Sequence, residues 1–493
     1  MSRSVFGKAV KWAYMGSWGE KAFSTFFTFF LAAILGPRDF GIVSIATIYI
    51  LFLQMLLEQG LVAALVQRRD LEPEHLNAAF WMNVAFSGFL VAISVLLSNW
   101  WAVHNHAPAA AHIIMVLSLC IPIEALAIVQ RSILTRNMDF RSLSIRSNLS
   151  VILGGCAGVA MALTGFGMWS LVGQQIVRDV TSLILLWRLS PWRPGLEFSM
   201  RHLRDLLHVS VPIFVAVTGS FADIYGSSII LGLFFGPVAV GLYRLADRLV
   251  STVVVAATTS IQAVSLPEFS RHQLDPVQLR RSALHCLRLS STIAFPVLAG
   301  VAAVSPLLLA LLGAKWGPAT PVVRILCAGG IFSSLSFFTG PLLQALARVR
   351  FAATLEWGRT LISLSVLTAA GFYARALDTV PQIMVMATVR SALSVVLVAP
   401  LFVGLLLSIT HATVRDFFHA IAPAVFSAAA GMAAVFAVQL AASSLLLNGR
   451  LMLVVELGAG VAFALATLGW LDQEARSFMF NSWNRFVVRP SNS

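Results

Sequence analysis

Apolar runs of about 20 residues follow one another along almost the whole chain, separated only by short polar breaks. Hydrocarbon offers a peptide backbone no hydrogen-bond partner, so each such run must satisfy its own N–H and C=O groups as a helix. Fourteen runs can be counted, near residues 12–35, 40–66, 77–99, 109–134, 145–164, 168–188, 206–234, 238–265, 287–313, 318–347, 351–373, 380–408, 417–443 and 450–471. The expected fold class is therefore an all-α polytopic membrane protein with about 14 transmembrane helices. Only 11% of the residues are charged, far below the roughly 25% of an ordinary soluble domain. The net charge of +13 does not point to nucleic acid, because no long polar domain exists to carry a basic stripe. Arg3, Lys8 and Lys11 precede a first apolar segment that contains Glu20 and Lys21 and lacks a small-residue cleavage site, so that segment is expected to be a retained span.

The basic residues serve topology. Loops rich in Lys and Arg resist translocation, and they recur here in every second loop. One side holds Arg3, Lys8, Lys11, Arg68, Arg69, Arg131, Arg136, Arg141, Arg146, Arg188, Arg193, Arg201 and Arg204. The same side continues with Arg271, Arg280, Arg281, Arg288, Arg348, Arg350, Arg415, Arg476, Arg485 and Arg489. The other side has only Arg38, Lys315, Arg375 and Arg450. Both termini are thus expected in the cytoplasm. The outward loops are too short for a catalytic domain, and no enzyme activity is expected.

Two stretches repeat. GPRDFGIVSIA from Gly36 is echoed by GPVAVGLYRLA from Gly236, and VRDVTSLILL from Val177 by VRSALSVVLV from Val389. Similar offsets imply two six-helix lobes, and six spans per lobe put both into the membrane the same way round, as parallel repeats about an axis along the membrane normal. The expected organisation is an N-terminal lobe over residues 1–190, a second lobe over 191–410, and two further helices with a cytoplasmic tail over 411–493. A cleft between the lobes would be the substrate path.

Four cysteines, Cys120, Cys156, Cys286 and Cys327, sit singly within apolar stretches and read as small core residues, giving neither a disulfide framework nor a zinc motif. His104 and His106 form an outward His-x-His with no third ligand in sight, so no metal site is expected there. Trp100 and Trp101 beside them read as interfacial anchors.

The remaining cations, Lys21, Arg178, Arg244, Arg248, Arg324, Arg359 and Arg390, fall inside spans together with the acids Glu20, Glu58, Glu124, Asp179, Asp223, Asp247, Glu356 and Glu456. A charge at mid-bilayer costs from about 2.5 kcal/mol upward, so such groups face protein or a wet cavity. Arg244 and Arg248 are four apart and share a helix face. The doublets Glu20-Lys21 and Arg178-Asp179 are adjacent in sequence, so their members should point to different faces.

FGIVSIA from Phe40, QRRDLEPEHLNAAFWMNV from Gln67, RPGLEFS from Arg193 and LLGAKWGPATPVVRILCAGG from Leu311 resemble the Wzx-type polysaccharide transporter family, within the multidrug/oligosaccharidyl-lipid/polysaccharide flippase superfamily. The likeness runs over almost the whole chain, in order. It implies two six-helix bundles around a cationic cavity and, as substrate, an undecaprenyl-diphosphate-linked oligosaccharide moved from the cytoplasmic to the periplasmic leaflet for lipopolysaccharide or exopolysaccharide synthesis. On that reading Arg244, Arg248, Lys21, Arg359 and Arg390 meet the diphosphate in the cleft, since guanidinium groups match phosphate oxygens in pairs. The alternative is that each cation pairs with an acid and locks helices together. Asp223, Glu58 and Glu124 are candidates for proton or sodium coupling, against a helix-packing role. No cofactor is expected. Expected partners are the lipid-linked oligosaccharide, membrane lipids, and polysaccharide polymerase and chain-length proteins. Rival readings are a cation-coupled multidrug exporter, which would want a net acidic cleft, and a membrane glycan polymerase or ligase, which would need a large outward loop.

Overall fold

The computed structural model describes residues 3–58, 61–68, 70–442 and 449–471. Arg69 and the tail arginines Arg476, Arg485 and Arg489 lie outside the described residues. Among those described, the regular structure is helical. In chain order the helices are α1 (Arg3–Ile34), α2 (Pro37–Glu58), α3 (Leu61–Gln67), α4 (Pro73–His104), α5 (Ala110–Leu117) and α6 (Cys120–Arg136). They continue as α7 (Phe140–Leu163), α8 (Trp169–Leu189), α9 (Met200–Phe235), α10 (Pro237–Arg271), α11 (Pro276–Leu311) and α12 (Thr320–Ser334). The last six are α13 (Thr339–Ala345), α14 (Val349–Ala374), α15 (Thr379–Leu393), α16 (Ala399–Thr410), α17 (Val414–Ala442) and α18 (Gly449–Leu471).

Ten helical stretches among the described residues are long and apolar enough to cross a membrane, and the chain is a multi-pass membrane protein. Four expected spans fall short of that count. Three of them, α1, α8 and α14, each carry an ionised pair: Glu20 and Lys21, Arg178 and Asp179, Glu356 and Arg359. The fourth, α18, is apolar over the shorter stretch Val455–Trp470.

Local chemistry sets the helix starts. Proline opens α2, α4, α10 and α11, where an N–H would have no helical partner in any case. Asp139 caps α7 by accepting from the Ser142 N–H at 3.1 Å, and Asp275 caps α11 through the N–H groups of Val277 and Gln278. Glu72 and His75 close a reciprocal capping box at the start of α4.

The chain forms two compact units, Met1–Arg244 with Gly371–Gln382, and Leu245–Ala370 with Ile383–Ser493. In the first, α7 packs against both α1 and α8 at points where one helix or the other presents glycine. A Cβ on Gly154 would lie 2.7 Å from the Gln174 carbonyl oxygen and 2.8 Å from Arg178 Cβ, and one on Gly158 would meet Gln174 Cβ at 2.8 Å. Gly155 lies against the Phe27 ring, while Gly16 and Gly19 of α1 lie against Ser144 and Asn148 of α7. Small residues spaced in this way let helices approach closely in lipid, where apolar burial supplies little drive. The repeated Gly-Pro turns also meet within this unit. Gly41 faces the Pro237 carbonyl and Gly241 faces the Pro37 carbonyl, each too close for a side chain.

In the second unit α11 packs against α12, α17 and α18. A π-helical turn, Ser394–Val398, joins α15 to α16. Ser394 Oγ there donates to the Arg390 carbonyl at 3.2 Å, and Ser391 Oγ donates to the Ile325 carbonyl at 2.8 Å. Cys120, Cys286 and Cys327 are buried as expected, but Cys156 is exposed, because its position on α7 turns away from both neighbouring helices.

Candidate functional site

The first unit gathers ionised side chains from five helices. Arg131, near the end of α6, holds the centre. One guanidinium nitrogen lies 2.7 Å from Glu124 Oε1, two helical turns back on the same helix, and another lies 3.4 Å from Glu58 Oε2 at the end of α2. Seven residues bring Glu124 and Arg131 back to one face, and the planar fork lets a single arginine serve two carboxylates. Arg146 of α7 donates to Ser182 Oγ on α8 at 3.2 Å and lies within electrostatic reach of Arg131, Glu20, Glu124 and Arg178. Its Nε–H is buried with no acceptor among the described residues.

Asp179 completes the group on α8. Its carboxylate takes both hydrogen bonds of the Gln175 amide, at 2.9 and 3.1 Å, while Arg178 Nε approaches only to 3.9 Å. Neighbours in sequence should face apart, and this long contact is what two adjacent side chains can still achieve by bending back. Cys120 of α6 lies against the same carboxylate.

Two of the three acids expected to couple an ion, Glu58 and Glu124, are therefore brought together, and the arginine between them is one that loop counting assigned to the cytoplasmic side. Arg131 and Arg146 are the residues that sequence reasoning missed. The available signal was the i, i+7 spacing of Glu124 and Arg131 inside a run already read as residues 109–134. Asp223 is half-buried on α9.

The expected diphosphate ligands are placed less uniformly. Lys21 is half-buried on α1 beside Glu20. Arg244 is half-buried on α10 with its guanidinium 5.3 Å from the centre of the Tyr225 ring, a cation–π distance. Tyr225 itself rests on Phe221, with ring centres 4.7 Å apart. Among the described residues Arg244 has this aromatic partner and no carboxylate within ion-pair distance. Arg248, one turn on, is exposed. In the second unit Arg359 is bound to Glu356 on its own helix, with nitrogen to oxygen distances of 2.8 and 3.1 Å. Arg390 lies in the last turn of α15, beside the π-helical segment. Arg324 Nε donates to the Ala302 carbonyl at 3.3 Å.

Residues 30–321, more than half of the chain, match the family described as polysaccharide biosynthesis protein. The chain belongs to this family. That bears out the Wzx-type resemblance read from the sequence. Among this family member's relatives are the succinoglycan biosynthesis transport protein ExoT of Rhizobium meliloti (strain 1021), 28% identical over 346 residues that cover 70% of this chain and 69% of ExoT, and the lipopolysaccharide biosynthesis protein WzxC of Escherichia coli (strain K12), 24% identical, covering 74% and 75%. In fold the chain is similar to lipid II flippase MurJ in an inward closed conformation, with TM-score 0.72 at 13% identity over 97% of this chain and 99% of MurJ. It is also similar to an inward-facing multidrug resistance MATE family transporter, with TM-score 0.63 at 14% identity over 81% and 99%. The family member is thus an all-helical membrane transporter.

Proposed function

We propose that this transporter moves an undecaprenyl-diphosphate-linked oligosaccharide from the cytoplasmic to the periplasmic leaflet of the bacterial inner membrane, through fourteen spans arranged as two six-helix lobes and an added pair, with both termini in the cytoplasm. The observation that carries the reading is Arg244, a guanidinium in a long apolar helix that lies over an aromatic face and, among the described residues, has no counter-ion within ion-pair distance. A fixed cation inside a span is costly unless an anion or water answers it. A diphosphate supplies two anionic groups with the oxygen geometry that arginine matches. Arg248, Lys21, Arg359 and Arg390 are the further cations we assign to the diphosphate.

Carrying a diphosphate and a string of hydroxyl groups through bare hydrocarbon would expose all of them to loss of hydration. A polar passage removes most of that barrier while the polyprenyl tail stays in lipid. Outward movement from a negative cytoplasm gains about 2.3 kcal/mol per negative charge per 100 mV, so the potential contributes to export. Glu58 and Glu124, both ion-paired with Arg131, are our candidates for exchange of a proton or sodium ion, with Asp223 as the third.

The test is the double variant Arg244→Gln and Arg248→Gln in vesicles loaded with the lipid-linked glycan, with leaflet-resolved detection. Flipping should fall at least tenfold while membrane insertion is unchanged, and Arg244→Lys should retain part of it. Wild-type flipping in the double variant would overturn the reading.

A further inference from the structure

The start of α4 and the start of α9 meet in a constellation that export does not use. Glu72, His75 and His202 each present one donor atom, and all three donors lie within 4.8 Å of one another. His202 Nε2 is 3.0 Å from Glu72 Oε2, His75 Nδ1 is 3.8 Å from the same oxygen, and the two imidazole rings stand edge to face with centres 4.4 Å apart. Around a tetrahedral zinc ion with ligand bonds near 2.0 Å, neighbouring donor atoms sit about 3.3 Å apart. The observed pairs straddle that spacing. Glu72 and His75 are three apart, so the first turn of α4 puts both on one side.

The supporting atoms are those that a metal site needs. The capping box holds the Glu72 side chain, and the His75 Nδ1 lone pair accepts the Glu72 N–H at 3.3 Å, so an ion at Nδ1 replaces that hydrogen bond and leaves the N–H to water at the exposed helix start. His202 Nδ1 is held by Ser199 Oγ at 2.6 Å, the kind of outer hydrogen bond that sets which ring nitrogen faces a metal. Burial is graded, with His75 fully inside, His202 partly exposed and Glu72 at the surface, which leaves an entry path and room for a water as fourth ligand. The backbone beneath is rigid. Trp81 Nε1 donates to the Gly195 carbonyl at 2.7 Å, and the Gly195 N–H donates to Asn77 Oδ1 at 2.9 Å, so the segment leading into α9 is fastened to α4 before any ion arrives.

We infer that Glu72, His75 and His202 form a binding site for a borderline transition-metal dication of the zinc class, which ties the start of α9 to the start of α4. The ion displaces the proton shared between His202 and Glu72 and takes the place of the Glu72 N–H at His75 Nδ1, and no covalent bond is otherwise made or broken. A mixed imidazole and carboxylate set selects zinc or its neighbours over magnesium or calcium.

Zinc alone is the probe, titrated calorimetrically into the purified full-length chain in detergent micelles. The expected result is one saturable equivalent per chain. His202→Gln and Glu72→Gln, the latter keeping an amide able to cap α4, should each weaken binding by at least thirtyfold. Ser199→Ala should weaken it by about tenfold. The double variant His104→Gln with His106→Gln should bind as the wild type does. Cobalt substituted into the wild-type chain should give the visible absorption of a tetrahedral site, a readout that needs no variant. Absence of a saturable equivalent, or wild-type affinity in both His202→Gln and Glu72→Gln, overturns the assignment. None of these outcomes depends on whether the chain flips a glycan.

Discussion

The two units hold their ionised residues in different ways. In the first, Arg131 joins carboxylates from α2 and α6, and Arg146 reaches from α7 to α8. In the second, Arg359 turns back to Glu356 on its own helix, and Arg324 donates to a carbonyl of α11. The interhelical pair of Arg280 on α11 with Asp416 on α17 lies at the starts of those helices, before their apolar runs. A pair made within one helix lowers the cost of carrying a charge and leaves the arrangement of helices untouched. A pair made between helices fixes that arrangement, and its loss strands a partner. Within the apolar runs, the first unit is therefore where charge and architecture are the same problem.

Arg131→Gln breaks the comparison most severely. It leaves Glu58 and Glu124 without their cation; breaking a fully buried pair costs about 3–5 kcal/mol, which is the upper bound for this half-buried group. Thermal unfolding of the purified chain in detergent should show a large drop in midpoint, and neutralising both acids in the same background should recover much of it. If Arg131→Gln alone melts like the wild type, the triad does not hold the helices. Next in size is Gly154→Ala. Its Cβ would press on the Gln174 carbonyl and the base of Arg178, an overpacking worth about 1–3 kcal/mol, read in the same melt. Smallest is Arg359→Gln, because exposed pairs one turn apart on a helix contribute no more than about 0.5 kcal/mol. A fall in midpoint as large as that for Arg131→Gln would erase the contrast between the units.

Much of this was legible from residues alone. Apolar runs located the long helices, Gly-Pro pairs located the turns before α2 and α10, and the family likeness was carried by stretches such as QRRDLEPEHLNAAFWMNV. Three helices that carry ionised pairs, α1, α8 and α14, were also readable as helices despite their charge. The side on which Arg131 and Arg146 do their work was not readable from charge asymmetry. A rule that counts basic residues near span ends cannot tell a side chain that snorkels outward from one that turns in toward Glu124, because both leave the same mark on composition. Nor could the sequence bring Glu72 and His75 to His202, since that meeting depends on how the segment through Gly195 folds back on Trp81 and Asn77. The π-helical turn after Arg390 carries no residue signature of its own.

The glycine-lined edge of α7 has a mechanical corollary. Helices that interlock through large side chains move like gears, one tooth at a time, and resist anything smaller. A helix with bare backbone toward its neighbours is closer to a smooth axle, able to roll by a few degrees without lifting any cog out of its slot. Here α7 offers bare backbone to α8 but is bolted to α1 by Ser144 and Asn148, which donate to the Trp12 and Gly16 carbonyls. A slight roll of α8 along that edge would therefore re-aim Arg178 while α1 stands still.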